Sequence, residues 1–444
     1  MAQTIEGFVG ASLDEARMSP IHWRVFALIS AGYFFDVCDY VILGALIPDM
    51  VRSGFATPAQ IATVASATLF GLFVGTLAQG EFTDRFGRKT VYQFNLLLYG
   101  IATIVAAFSP NYIWLAVFRF IAGIGLGAEQ PLCFAYAGEY APKNIRGRFI
   151  AGVQMIGGAW SWPLSTLFAL GFRDTLGWRG IWIVIGICAL IVFLFRFSLP
   201  ESPRWLATHG QGDRAIELLR RMGIAGPREA LTSDAASNTH SDPIGVVFRL
   251  YWGRVIAGMV CFVAFFGVAL GLGTWLPNMM ADRGMTITKS LTYTFGMTLA
   301  FPCASLCMMY ALERFGRKPT SIISFVLAGA FAIAFINAAS DTMLLVVGFC
   351  MIFFIQLAGN SMQIFASEVF PTNARASGFG FAQGVGRLAT AFIIPAILWI
   401  QTGYGSGAVF VSIAAVLLIA AFTVKLLGPE SRGVALDVLA PPTG

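Results

Sequence analysis

Charge is the scarce ingredient of this sequence. Asp, Glu, Lys and Arg make up 12% of its 444 residues, about half the share in soluble domains, which excludes a soluble enzyme and a disordered chain. Only 3 histidines occur: His209 and His240 fall in a polar stretch and His22 at the edge of an apolar run, so no histidine shuttle lies inside an apolar segment. The 7 cysteines (38, 133, 188, 261, 303, 307, 350) show neither CxxC spacing nor a loop-borne pair, so they read as small hydrophobes and not as a metal or disulfide framework. A phosphate-binding loop, a His/Cys/Asp metal cluster and a nucleophile elbow are all missing, so neither an enzyme nor an ATP-driven pump is expected, and no cofactor or metal. The amino terminus lacks a cleavable signal: Glu6, Asp14, Glu15 and Arg17 precede the first apolar run, which is expected to direct insertion itself.

Long apolar runs are what the sequence has. With 57% hydrophobic residues and a mean hydropathy of +0.74, the chain reads as an all-α membrane protein that crosses a lipid bilayer many times. Twelve runs of bilayer length centre near residues 36, 70, 98, 122, 157, 188, 264, 299, 328, 355, 386 and 415. Between the sixth and seventh lies a polar stretch, 200–248, with PESPRWL, an amphipathic DRAIELLRRM and a Ser/Asp/Asn-rich piece that reads as linker.

The net charge of +6 sits in short loops, which argues against a nucleic-acid surface. Arg85, Arg88 and Lys89 follow span 2, Lys143, Arg146 and Arg148 follow span 4, and Arg204, Arg214, Arg220, Arg221 and Arg228 follow span 6. Arg314, Arg317 and Lys318 follow span 8, and Arg375 follows span 10, whereas the alternate loops hold few basic residues. By the positive-inside rule both termini and the linker are cytoplasmic, in an inner (plasma) membrane protein.

The chain also repeats itself. DRFGRK (84–89) recurs as ERFGRK (313–318), and EYAPKNIR (139–146) as EVFPTNAR (368–375), both at an offset of 229 residues (313 − 84; 368 − 139). Two pseudo-symmetric six-helix bundles are therefore expected, 1–199 and 249–444, joined by a cytoplasmic linker at 200–248. GEFTDRFGRK (80–89) has the G-x-x-x-D-R-x-G-R-K form between spans 2 and 3 that marks the major facilitator superfamily, and the resemblance covers essentially the whole chain. RFIAGIGLG (119–127), EYAPKNIRGR (139–148), PESPRWL (200–206) and PESRG (429–433) resemble its sugar-porter and organic-ion branches. Asp36-Val37-Cys38-Asp39 resembles the first-span aspartate pair of the bacterial aromatic acid:proton symporters, with Val37 where that family usually has Gly. The resemblance implies a secondary transporter in which two bundles rock about a central substrate site.

The intramembrane polar residues are the functional candidates. Asp36 and Asp39 are three apart, about 60° around a helix, so both can face a central cavity and carry a proton; alternatively one pairs permanently with an arginine. Arg119 is the obvious counter-charge, and in sugar-porter relatives an arginine at its place lies close to the first-span aspartate. Gln130, eleven residues on and about 20° from the same azimuth, is expected to join Arg119 and Gly123 in one cavity-facing stripe, although close helix packing also explains the glycine. Glu129 has three readings: a second proton site, a ligand for a cation, or a lateral salt-bridge partner.

Arg387 in span 11 points to an anionic substrate, since a guanidinium suits a carboxylate and the matching span of organic-anion carriers has a basic residue; it can equally neutralise Glu129 or an aspartate. Gln154, Gln356, Asn360, Gln363 and Gln383 are further substrate-binding candidates, and Phe34, Phe35, Trp160, Trp162 and Trp275 can supply aromatic walls. By resemblance, Asp84, Arg85, Arg88, Glu139, Arg146, Glu313, Arg314, Arg317, Glu368 and Arg375 clamp the cytoplasmic gate. The expected activity is proton-coupled symport of a small organic acid, aromatic acids among the candidates, by a monomer whose partners are substrate, protons and lipid. A sugar or polyol symporter and a membrane ligand sensor are the alternatives.

Overall fold

A computed structural model describes residues 4–224, 226, 244–282, 284–369 and 372–428. Ten of its helices are long and apolar enough to cross a bilayer. Two of them, Arg146–Arg196 and Gly378–Leu427, are 51 and 50 residues long, twice the bilayer requirement. Each is broken by a glycine at positive φ, Gly177 (63°) and Gly405 (83°), a conformation that β-carbon crowding denies to other residues, so twelve spans result.

Spans 1 to 4 are Pro20–Arg52, Pro58–Phe86, Arg88–Ala107 and Tyr112–Tyr140. Span 5 begins as Arg146–Val153, passes through a π-helical turn at Gln154–Ala159 and continues to the Gly177 break, after which span 6 runs 178–196. Span 7 lies in Ile244–Asp282, span 8 in Ile287–Thr298 and Ala300–Phe315, span 9 is Arg317–Ile336 and span 10 Asp341–Val369; spans 11 and 12 share Thr372–Leu427. The helix carrying span 7 starts at Ile244, inside the stretch expected to be linker, and is interrupted at Tyr251 (φ −129°, ψ 27°).

The two copies of the repeat turn alike. Gly87 (φ 89°) and Gly316 (φ 86°) stand in the two FGRK motifs and reverse the chain between spans 2 and 3 and between 8 and 9. The motif lysines then reach back: Lys89 Nζ donates to the Phe197 carbonyl (3.0 Å) and Lys318 Nζ to that of Gly428 (2.6 Å). Glu201 of PESPRWL accepts from the Lys89 backbone N–H (3.1 Å), placing a carboxylate at the amino-terminal end of span 3, where the helix dipole favours it.

The end of the bundle at which span 1 begins has a small cap. The short helix Ile5–Asp14 buries Val9 and Leu13 beside the linker helices Pro203–Thr208 and Gly212–Arg221. Asp14 ion-pairs with Arg146 (2.5 Å) and Arg204 (2.7 Å), tying the cap to the start of span 5 and to PESPRWL. Residues 227–243 of the expected linker lie outside the described residues.

Spans 2 and 4 pack on small residues. A β-carbon on Gly71, Gly75, Gly123 or Gly127 would overlap a backbone carbonyl of the facing helix, so G-x-x-x-G pairs on both helices allow near contact. Gly123 is thus a packing residue and faces no cavity. This approach also brings Thr76 against span 4, where the site begins.

Candidate functional site

Asp36, Gln130, Gln154, Gln356, Gln363 and Arg387 converge on one cavity between the two halves, walled by Tyr33, Tyr40, Trp162, Phe265 and Phe266. Its volume is about 50 Å³, room for a few waters, far below the roughly 300 Å³ or more of a typical ligand site. The conformation is therefore closed around the centre. On the face opposite the termini, Gly44 of span 1 meets Gly273 of span 7 so closely that a β-carbon on Gly44 would overlap the Gly273 carbonyl. Trp162 of span 5 stacks on Phe301 of span 8 with centroids 4.2 Å apart, and Ser66 Oγ of span 2 donates to the Ala391 carbonyl of span 11 (2.6 Å). Towards the termini the halves part instead. A space of about 780 Å³, lined by Arg148, Ser305, Asn360 and Phe379 among others, shares Gln154 and Gln363 with the central cavity.

The first-span aspartates are separated by their surroundings. Asp36 lines the cavity and is 2% exposed; among the described residues it has no cation within ion-pair distance and its Oδ1 has no hydrogen-bond partner. Asp39, about 60° round the helix, turns away from the cavity into the amino-terminal bundle. There it ion-pairs with Arg119 (2.8 Å) and accepts from Thr103 Oγ1 (3.0 Å), all fully buried. Arg119 also lies 5.3 Å from the Trp182 ring, a cation–π contact. The expected stripe of Arg119 and Gln130 therefore needs correction: eleven residues carry Arg119 about 16 Å along the helix from Gln130, past the end of the cavity.

Glu129 is a lateral salt-bridge partner. Arg196 Nη2 bonds Glu129 Oε1 while Nη1 reaches Oε2 (3.3 Å), and both side chains are 0% exposed. The Arg196 guanidinium lies 3.7 Å from the Tyr92 ring centroid and donates to the Tyr92 carbonyl (3.2 Å). A β-carbon on Gly32 would collide with Arg196, so this glycine is what lets span 1 lie beside the pair. Arg196 was absent from the sequence-derived candidates because, next to PESPRWL, it reads as one more positive charge at a span end.

Among the described residues Arg387 makes no ion pair with Glu129 or an aspartate, although Asp36 lines the same cavity. Its Nη1 donates to Thr76 Oγ1 (2.6 Å) and the Gly127 carbonyl (3.1 Å), and Nη2 donates to Gln130 Oε1, so a span 11 side chain is held by three neutral acceptors of the other half. Gln130 donates onward to Tyr33 Oη (2.8 Å), which donates to Gln154 Oε1 (3.3 Å). In the carboxyl-terminal half Gln356 donates to Asn360 (3.0 Å) and Asn360 to Ser305 (3.2 Å).

Among the other candidates, Gln383 is buried but lines neither space. Of the expected aromatic walls, only Trp162 lines the cavity; Trp160 is exposed and Trp275 donates to the Ile394 carbonyl (3.1 Å). Tyr33 and Tyr40, at −3 and +4 from Asp36, share its helix face, a spacing that marks them as wall residues. At the gate, Arg88 pairs with Glu139 (3.2 Å) and Arg146 with Asp14 (2.5 Å), both within the amino-terminal half. Arg85 is exposed, Arg314 meets Tyr310, and the Arg317 carbonyl accepts from Ser361 (3.0 Å). The side chains of Asp84, Glu313, Glu368 and Arg375 lie outside the described residues.

Three comparisons bear on this geometry. The profile of the family described as "Sugar (and other) transporter" matches residues 40–440. The niacin transporter NiaP of Acinetobacter baylyi is 29% identical over 438 residues, 96% of this chain and 98% of the relative. The 4-hydroxybenzoate transporter PcaK of the same species is 28% identical over 398 residues, covering 86% and 85%. Among solved structures, the partially occluded inward-open xylose transporter XylE from E. coli superposes with a TM-score of 0.77 at 19% identity, covering 94% of this chain and 100% of that one. The profile match spans nearly the whole chain and the helical architecture agrees with it, so the protein belongs to the sugar (and other) transporter family of the major facilitator superfamily and is a membrane transporter, not an enzyme.

Proposed function

We propose that the protein is a proton-coupled importer of a small aromatic carboxylate, working by alternating access as a monomer in an inner membrane with its termini in the cytoplasm. The observation that carries this reading is Arg387: a buried guanidinium facing the central cavity, held by neutral acceptors and, among the described residues, with no carboxylate at ion-pair distance. Such a cation is the natural partner of an anionic ligand, and the Tyr33, Tyr40, Phe265 and Phe266 rings suit a flat apolar body. Niacin and 4-hydroxybenzoate, named for two relatives, are both ring carboxylates. Asp36 is the proton carrier in this scheme, because it alone of the buried acids of the first span faces the cavity without a fixed cation. Asp39–Arg119 and Glu129–Arg196 are then internal braces of the amino-terminal bundle. The Lys and Arg of the termini-side loops set the orientation.

Uptake into proteoliposomes under an imposed pH gradient, across carboxylates, sugars and amines, tests the substrate class. The decisive comparison sets an aromatic acid against its amide. Wild type prefers the acid, and Arg387→Ala loses most of that preference, with acid affinity down about thirty- to several-thousand-fold, the range for removing one partner of a desolvated charge contact. Equal discrimination by both proteins, or strong uptake of a neutral sugar, sinks the organic-acid reading in favour of a sugar or polyol.

A further inference from the structure

Gly127 stands four residues before Pro131 in the middle of span 4. In an α-helix its carbonyl would accept the N–H of residue 131, and proline has none. The freed oxygen accepts from Arg387 Nη1 (3.1 Å) and shares the Thr76 hydroxyl proton with the Leu72 carbonyl, each 2.8 Å from Thr76 Oγ1, which is itself 2.6 Å from the same Nη1. Gly127 is buried where spans 2 and 4 touch, and a β-carbon there would overlap the Leu72 carbonyl, so only glycine lets Thr76 come this close. Among the described residues the device occurs twice. Pro395 in span 11 frees the Ala391 carbonyl in the same way, and that oxygen accepts from Ser66 Oγ (2.6 Å) of the opposite half.

We propose that Pro131, which lines no part of the cavity, is a positioning residue for the substrate: by freeing the Gly127 carbonyl it anchors Arg387 on one side and presents the rest of the guanidinium to the carboxylate. The proposal rests on the organic-acid reading above. A guanidinium has five N–H donors in a fixed plane. The Gly127 carbonyl and the Thr76 hydroxyl both accept from Nη1, and Gln130 accepts from Nη2. Nε donates to none of the described residues, so the guanidinium edge that carries Nε–H remains for a carboxylate. Anchoring by neutral groups leaves the positive charge for the ligand, which an aspartate anchor would cancel.

The test uses nicotinate and 4-hydroxybenzoate as probes, each against its amide, on the purified full chain with binding as the readout. Pro131→Ala restores an N–H that takes the Gly127 carbonyl, so acid affinity falls roughly ten- to hundredfold, the scale of one charged hydrogen bond, while amide affinity stays level. Thr76→Val, which leaves the proline in place, shows the same selective loss, and Thr76→Ser keeps the wild-type ratio. If Pro131→Ala and Thr76→Val both keep the wild-type acid-to-amide ratio while Arg387→Ala loses it, the positioning role is wrong and the organic-acid reading stands. If Arg387→Ala also keeps the ratio, the organic-acid reading fails and takes this one with it. Should Pro131→Ala fail to fold, the pair Thr76→Val and Thr76→Ser decides alone: equal ratios in those two overturn the proposal.

Discussion

Asp36, Asp39, Arg119, Glu129 and Arg196 all lie in the amino-terminal half. Displaced by the 229-residue offset of the repeat, the same places in the other half hold Phe265, Val268, Gly348, Ala358 and Lys425. The reverse holds for Arg387, whose counterpart is Gly158 on span 5, also at the cavity. One six-helix plan has thus been filled in two ways. Among the described residues, buried ion pairs brace the first copy, whereas the second has neutral contacts such as Gln356–Asn360–Ser305 and an exposed Lys289–Asp341 pair. The helical scaffold does not itself require the buried charges, because its second copy folds without their equivalents. Each charge retained in the first copy therefore calls for a role, and Asp36, with no cation at ion-pair distance among the described residues, calls for one most strongly.

The sharpest way to break the comparison is to make span 1 neutral like span 7. Asp36→Asn removes the cavity-facing acid and is expected to abolish accumulation under a pH gradient while leaving substrate exchange largely intact, since exchange need not return the empty carrier. Asp39→Asn strands Arg119 in a fully buried site and should impair folding and both transport modes together. Wild-type accumulation in Asp36→Asn would remove it as the coupling site.

Next in size is the Glu129–Arg196 brace. Removing one partner of a buried pair costs about 3–5 kcal/mol, so Glu129→Gln should lower the melting temperature in detergent sharply, and Glu129→Leu with Arg196→Met should recover much of the loss. A Glu129→Gln protein that melts like wild type but no longer accumulates substrate would turn Glu129 from a brace into a second proton site.

How far these distinctions were readable in sequence follows from the physics of each group. Twelve spans, the repeat and the odd standing of Asp36, Glu129 and Arg387 were legible, because a charge inside an apolar run stands out at any register. Which aspartate meets Arg119 was not, since a difference of about 60° on one helix becomes decisive only once its neighbours are placed. Arg196 was hidden by its address at a span end. The carbonyl freed by Pro131 was half legible: the proline announces an unpaired oxygen four residues back, but nothing in the order of residues says that Thr76 and Arg387 will find it.

A smaller effect is expected where the halves are most alike. Gly44-x-x-x-Pro48 and Gly273-x-x-x-Pro277 are related by the same offset, and their glycines meet on the face opposite the termini. Gly44→Val should wedge this contact open and shift the population towards the outward-open form. In a background lacking the 7 native cysteines, an impermeant thiol reagent added outside should then label Ala269→Cys, on the cavity wall, several-fold faster than with Gly44 intact. Unchanged labelling would mean that the glycine contact does not hold the outer side shut.

The smallest effect belongs to Lys425, and it measures how unequal the halves are. Lys425 occupies the place of Arg196 in the repeat, yet it is exposed and its would-be partner position is Ala358, so no buried carboxylate depends on it. Arg196→Ala leaves Glu129 charged and alone in a fully buried site. Lys425→Ala only trims an exposed side chain near the end of span 12, and surface substitutions of that kind rarely move stability measurably. Melting in detergent and transport rate should therefore fall steeply for Arg196→Ala and stay at the wild-type level for Lys425→Ala. Comparable losses in the two would show that the brace reflects a demand common to both bundles, and the division between a first half braced by buried ion pairs and a second half without such a brace would lose its functional meaning.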